Sequence, residues 1–542
     1  MSLKRLALLA YPVMSDRNVG TEARRPQAAD VAWPTRNRLV RRPGARATAT
    51  LTAWLVVLLA GGCTGVKEWC GNRFKVGPDY RRPPAAVAEN WIDADDERIR
   101  PDWVVDAWWT QFNDPTLDGL VQTAYQQNLD LQTAGTRILE ARAQRNIAAG
   151  NLFPQSQSAI ATYIRGQLPT GGGFPLPIPS ELNLFATGFN ASWEADFWGR
   201  YRRTIIASQA TLDASVDGYS DALVMTLADV ATNYVQYRTF QQRLDYARRN
   251  VKIQEATLDL AETRFNVGTT TNLDVQQAKS NLAQTQSTIP SLETGLRQAG
   301  NGLCILLGMP ASDLSQMLEV QPIPKAPLEL AVGIPADLLR RRPDVRRAER
   351  DVAAQSEQIG IAKADLYPRL SINGFIGYTG ENLKSLFAAK SLTGLVFPAL
   401  QWNILNYGRI MNNVNAQDAN FRGKVLTYQQ TVLRAGREVE NALVAFLQTQ
   451  VQARRLEESV LASERSVELA SEQYKGGIAD FNRVFNTQTT LVSQQDQLAV
   501  ARGNIALNMI AVFKALGGGW QSFGAPKGAV GPGHGKAKTG HP

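Results

Sequence analysis

Apolar residues recur every seven positions along two long stretches of this chain. In the first, Val216, Leu223, Val230, Tyr237, Leu244, Val251, Leu258 and Phe265 form one stripe, and Leu212, Tyr219, Leu227, Tyr234 and Phe240 a second. In the other stretch the stripe reads Val425, Val432, Val439, Phe446, Ala453, Val460, Val467 and Tyr474. A spacing of seven is that of helices packed as coiled coils. No proline interrupts residues 201–266 or 408–475. Each stretch therefore predicts one uninterrupted helix, about 100 Å long at ~1.5 Å per residue. Short breaks follow, NVGTTTN at 266–272 and KGGIADFN at 475–482. Beyond them return helices are expected near 273–308 and 483–517, and shorter helices near 116–150 and 336–364.

Elsewhere the period changes to two. Leu370, Ile372, Ile376 and Tyr378 alternate with Ser371, Asn373 and Gly377. Phe185, Phe189 and Trp193 share one face of a strand, as do Val396, Leu400 and Trp402. This alternation predicts two hairpins, about 155–193 and 369–402, with strands of the ~10-residue length that crosses a membrane. A small soluble sheet has the same pattern. Geometry separates the two: four strands cannot close a barrel, and lipid does not tolerate open sheet edges. Such a sheet either stays in water or pools its strands with other copies of the chain, and three copies supply twelve.

The pattern is written twice. W-x4-[WY]-G-R occurs at Trp193–Arg200 and again at Trp402–Arg409, 209 residues apart. The same offset relates Phe265 to Tyr474, Gly268 to Gly477 and Leu307-Gly308 to Leu516-Gly517. Upstream, NLDL at 128 and NLFP at 151 match RPDV at 342 and DLYP at 365, at an offset of 214. The expected organisation is a signal segment 1–62, an N-terminal segment 63–115, a first repeat 116–308, a connection 309–335, a second repeat 336–517 and a tail 518–542. The fold class is mainly α with membrane β.

Charge and rare residues narrow the function. The formal charge is +9, but residues 1–62 carry ten Lys/Arg against three Asp/Glu, and the tail adds Lys527, Lys536 and Lys538. The body between is almost neutral, which removes the footprint expected of a nucleic-acid binder. The two histidines, His534 and His541, lie in the tail. The body thus has no histidine for catalysis or metal binding, and no residue pattern calls for a cofactor. GHGKAKT in the tail lacks the Ser/Thr and the preceding strand of a phosphate loop. A basic stretch, RNRLVRRPGAR, followed by the apolar run 51–62 reads as a signal peptide ending in LLAGGC at Cys63. This is similar to a bacterial lipobox, with Ala60 where Leu is usual, and makes Cys63 the candidate lipidation site. An ordinary signal peptide with an incidental cysteine is the alternative. Cys304, in GLCILLG, suits a buried position.

KVGPDYRRP (75–83), WWTQFNDPTLDGLV (108–121), RRPDVRRAE (341–349) and the two [FY]-x-x-G turns together resemble outer-membrane efflux lipoproteins of the TolC-like family, NodT branch. The resemblance covers about residues 63–520. It implies a homotrimer, with a twelve-stranded barrel in the outer membrane above a long coiled-coil α-barrel. It also implies a passive exit duct for small molecules, working with a periplasmic adaptor and an inner-membrane pump of the RND type. By the same resemblance Asp274 and Asp480 are the candidate periplasmic gate, although Arg483 stands where the second copy should repeat Asp274. Val267, Gly268, Thr269, Gly477 and Ile478 are the candidate adaptor contacts. The plainer readings are helix-start acids beside a positive dipole end and ordinary turn residues. For the whole chain, the competing reading is a lipid-anchored periplasmic coiled-coil adaptor or scaffold, which two matched copies disfavour.

Overall fold

The structure, a computed structural model, describes residues 69–102, 106–167 and 181–524. Cys63, the signal segment, the 168–180 connection and the end of the tail lie outside them. In chain order the elements are β1 (Ile99–Arg100), α1 (Pro115–Gln127), α2 (Leu129–Gly150), β2 (Ser156–Gln167), β3 (Glu181–Glu194), α3 (Arg200–Asn266) and α4 (Asn272–Leu306). They continue as α5 (Ser315–Leu318), β4 (Leu330–Ala331), α6 (Leu338–Arg341), α7 (Pro343–Ala364), β5 (Arg369–Gly380), β6 (Leu392–Gln401), α8 (Arg409–Lys475) and α9 (Phe481–Ala515).

The repeat is visible residue by residue. α3 and α8 are both 67 residues long, and α4 and α9 both 35. Gly199 and Gly408 precede the long helices with φ of 81° and 80°. The return helices end alike: Met309 N–H bonds the Cys304 carbonyl and Gly518 N–H that of Phe513, each at 2.9 Å, past Gly308 and Gly517. These are Schellman closures. The heptad stripe is buried through its middle, from Leu223 to Leu244 in α3 and from Val432 to Val467 in α8. The main core joins Leu227, Val230 and Tyr234 of α3 to Val439 and Phe446 of α8 and Phe513 of α9.

The four long strands form one antiparallel sheet in the order β2-β3-β5-β6. The pairing of β3 with β5 joins the two copies and sets Phe189 opposite Ile376 and Trp193 opposite Ile372. From the registers, one face carries Ala159, Tyr163, Phe185, Phe189, Trp193, Ile372, Ile376, Val396 and Leu400. The other carries Ser158, Thr162, Asn190, Ser192, Asn373, Thr379 and Thr393, interspersed with Ile160, Ile164, Leu184, Phe375, Leu395 and Phe397. On it Ser192 donates to Asn373 at 2.8 Å, and the hydroxyls of Thr379 and Thr393 lie 2.7 Å apart. An apolar face with aromatics near its ends, backed by a largely polar face, is how a membrane barrel sorts its strands.

Each W-x4-[WY]-G-R phrase sits where a strand passes into a long helix. The Trp193 indole donates to the Leu152 carbonyl at 3.1 Å, and Trp402 donates to Leu366 at 2.9 Å, the matching corner of the second copy. Trp198 reaches across copies, donating to the Pro368 carbonyl at 2.7 Å and stacking on Tyr367 with ring centroids 4.5 Å apart.

The N-terminal segment is a strap across both copies, which no periodicity foretells. Its KVGPDYRRP signature explains itself in contacts. Val76 N–H bonds the Trp198 carbonyl at 3.0 Å. Gly77, at φ 92°, lies against Gly360 so closely that a Cβ would sit 2.7 Å from its Cα, so only glycine fits. Arg203, with no exposed side-chain surface, donates to the Val76 carbonyl at 2.6 Å, to Gly77 at 2.8 Å and to Glu357 at 2.6 Å. The Tyr80 hydroxyl bonds Glu349, and Arg82 reaches the Leu339 carbonyl at 3.2 Å. Farther on, the Trp91 indole donates to Gly333 at 2.9 Å, and β1 pairs in parallel with β4. The WWTQFNDP run buries Trp108, Trp109 and Phe112, and its Asp114 caps α1 by accepting from Thr116 and Leu117 N–H. Of the arginine run, Arg340 is exposed, whereas Arg341 and Arg342 are buried joints. Arg342 donates to the Ala515 carbonyl at 2.8 Å and pairs with Asp344 and Glu438. The Trp520 indole in turn donates to the Arg341 carbonyl.

Candidate functional site

The chemistry-bearing residues gather where the long helices turn back. At the first tip Thr269 N–H bonds the Arg264 carbonyl at 2.9 Å, and at the second Ile478 N–H bonds Gln473 at 2.9 Å. Between the bonded pairs Gly268 and Gly477 take φ of 79° and 73°, the left-handed conformation that a helix end requires of one residue. The turns leave Val267, Gly268, Gly477 and Ile478 exposed, with open space around the Gly268 Cβ position.

The acids sit at the starts of the return helices. Asp274, in the first turn of α4, accepts from the hydroxyls of Thr270 and Thr271, the latter at 3.3 Å. Asp480 is the N-cap of α9 and accepts from Arg483 N–H at 3.2 Å. Both carboxylates thus offset the unpaired N–H groups of a helix start. Arg483 turns away to Gln473 at 3.0 Å. Among the described residues no cluster of three metal-ligating groups occurs.

Two features at the tips carry no signal in the sequence. Arg264 of α3 donates to the Tyr474 carbonyl of α8 and lies over its ring, 4.7 Å from the centroid. This latch ties the two tips, and burial raises the Tyr474 phenol above its ordinary range. Above it, amide side chains replace apolar ones between the helices. Asn281 donates to Gln488 at 3.2 Å and Gln488 to Thr257 at 2.9 Å, while Asn250 donates to Gln495 at 2.8 Å and Gln495 to Glu464 at 3.0 Å. Buried polar layers fix the register of a coiled coil at a cost in stability. Along them runs a groove of 610 Å³ between α3, α8 and α9, lined by Ile253, Leu260, Val467, Tyr474 and Leu491, with Arg249 and Glu468 also facing it.

The long coiled-coil pairs, the membrane-type sheet and the twofold repeat match a known family. Its description, outer membrane efflux protein, fits residues 120–309 and 334–518. The chain belongs to this family. It is 31% identical over 466 residues to nodulation protein T of Rhizobium leguminosarum bv. viciae, covering 83% of this chain and 91% of that one. It is 30% identical over 460 residues to the toluene efflux pump outer membrane protein TtgF of Pseudomonas putida, covering 82% and 94%. The solved outer-membrane channel OprN superposes with a TM-score of 0.78 at 30% identity, over 82% of this chain and 99% of OprN. This outer membrane efflux protein is therefore a channel of the Gram-negative outer membrane, with the α-barrel and β-barrel architecture of TolC-like ducts. The family is one of channels rather than enzymes. Its members are the outer-membrane components of tripartite systems, alongside an adaptor and an inner-membrane pump. The anchored-adaptor reading gives way to this one.

Proposed function

We propose that three copies of this chain close into one duct, held to the outer membrane by a lipid on Cys63. The duct passively releases small molecules handed to it by an inner-membrane pump of the RND type through a periplasmic adaptor. The observation that carries the reading is the open four-stranded sheet, whose edges β2 and β6 are unpaired among the described residues beside a face suited to lipid. Unpaired backbone cannot remain at a lipid-exposed edge, and three such sheets make a closed barrel of twelve strands.

The helix tips supply the control. Asp274 and Asp480 line the periplasmic mouth and favour cations there, while the exposed turn residues Val267, Gly268, Thr269, Gly477 and Ile478 receive the adaptor. The family is one of channels, so the driving energy comes from the pump. Native mass spectrometry of detergent-extracted protein tests the assembly. A trimer whose subunits begin at diacylated Cys63 supports it, and a monomer would refute it.

A further inference from the structure

One contact of the repeated junction is left half-made. In the first copy both aromatics of the phrase are engaged: Trp193 on its own corner at Leu152, Trp198 on the other copy's corner at Tyr367 and Pro368. In the second copy Trp402 repeats the first contact on Leu366. Tyr407, the counterpart of Trp198, is 97% exposed, and Phe153, the counterpart of Tyr367, is 68% exposed. The helices show the same imbalance. Leu426 and Leu433 of α8 are 66% and 60% exposed, whereas their counterparts in α3, Asp217 and Val224, are buried. Leu139 of α2 is exposed where its counterpart in α7, Ala353, is buried.

The chain thus makes the contact from first copy to second once, and exposes both halves of the contact from second copy to first. It cannot join them itself, because β2 and β6 lie at opposite edges of the sheet. We propose that Tyr407 stacks on Phe153 of the partner subunit, while Leu433 covers Leu129 of the partner subunit, because Leu129 is 63% exposed and its counterpart, the buried Pro343, lies beside Val224 within the chain. The chain's internal interface is the template for the one between chains. The inference rests on the ring-forming reading above but is narrower, since a ring can be joined through other surfaces. Large apolar side chains left bare on two complementary edges are what a heterologous, ring-closing interface requires.

The template also fixes the strand register. In the first hairpin Ala161 faces Thr187, and in the second Gly374 faces Val396, the counterpart of Thr187. Ala161 and Gly374 are therefore counterparts. Gly374 faces Ala191 across the copies, and the counterpart of Ala191 is Leu400. Leu400 is accordingly set opposite Ala161 of the partner subunit, both on the apolar face.

Cysteine cross-linking of the full chain in native outer membranes tests this, in a Cys70→Ser background. With a short bismaleimide, Phe153→Cys/Tyr407→Cys and Ala161→Cys/Leu400→Cys should each give a ladder ending at trimer. Single variants, and Ala161→Cys/Ala399→Cys on opposite faces, should give none. If native mass spectrometry shows a trimer and the denatured thiols react, yet neither pair cross-links, the contact is wrong and the ring reading survives. A monomer overturns both. As an independent readout, Tyr407→Ala should lower the temperature at which the trimer dissociates in SDS, and Tyr407→Trp should restore it. An unchanged temperature in Tyr407→Ala also overturns the contact.

Discussion

Arg203 is the pin of the N-terminal strap, and its removal has a calculable effect. The side chain is fully buried and faces Glu357, itself only 4% exposed, at 2.6 Å. Arg203→Met keeps most of the volume but leaves the Glu357 carboxylate buried without its cation, and strips donors from the Val76 and Gly77 carbonyls. Breaking a buried pair from one side costs ~3–5 kcal/mol, and each carbonyl left buried without a donor adds ~1–3 kcal/mol, so 3–5 kcal/mol is a lower bound. The strap opens locally rather than with the whole protein, so the change falls on that local equilibrium. At ~1.4 kcal/mol per factor of ten, 3–5 kcal/mol is roughly a 150- to 4,000-fold rise in the open population. The reporter is the Val76 amide, bonded to Trp198 in the closed strap. Its hydrogen exchange, followed by mass spectrometry of the detergent-extracted protein, should accelerate by that factor. Arg203→Met/Glu357→Leu, which removes both charges, should recover most of the protection. An acceleration below tenfold in the single variant would refute the reasoning.

Three further outcomes are expected. Burial raises Asp217 to a pKa of about 6 despite Arg346 at 2.8 Å. Its stabilising contribution is full below the unfolded pKa near 4 and is lost as pH rises through 6, because the folded state holds the proton longer. Asp217→Asn should therefore match the wild type at pH 4 and melt higher at pH 8, by up to ~3 kcal/mol; a lower melting point at pH 8 would sink the argument. Arg264→Ala removes the latch on Tyr474, and single-channel recordings should show longer or larger openings, with no change in trimer stability in SDS. On the proposal that Asp274 lines the mouth, Asp274→Asn removes a carboxylate there while keeping an oxygen for the Thr270 and Thr271 hydroxyls, so cation preference should fall in bilayer reversal potentials; an unchanged preference would place the side chain outside the conducting path.

What could be read from the sequence was whatever a local rule controls. The heptad stripes specify α3 and α8 because burial every seventh residue is a property of one helix, and Gly268 and Gly477 mark the tips because a helix end needs a left-handed residue. The alternation around Ile372 and Phe189 gives the strands and their faces. The rest depends on partners far apart in the chain. Arg203 stands in RYRR, where nothing local marks it for burial, yet it is buried because the strap and α7 close over it. Arg264 and Tyr474 are 210 residues apart and look like an exposed cation and a core aromatic until the tips meet. Asn281 and Gln488 are 207 residues apart, and only packing shows that they bond one another.

The equal lengths of the duplicated helices make the protein a ruler. Both long helices hold 67 residues and both return helices 35, so the two tips of each chain stop level, and Arg264 can meet Tyr474 only because they do. Deleting one heptad from α3 alone would withdraw its tip by about 10 Å, farther than any side chain reaches. The reach of the duct toward its partners is thus quantised. It can change by whole heptads, taken from the long and return helices of both copies together, and a change in one copy alone breaks the latch before it shortens the duct.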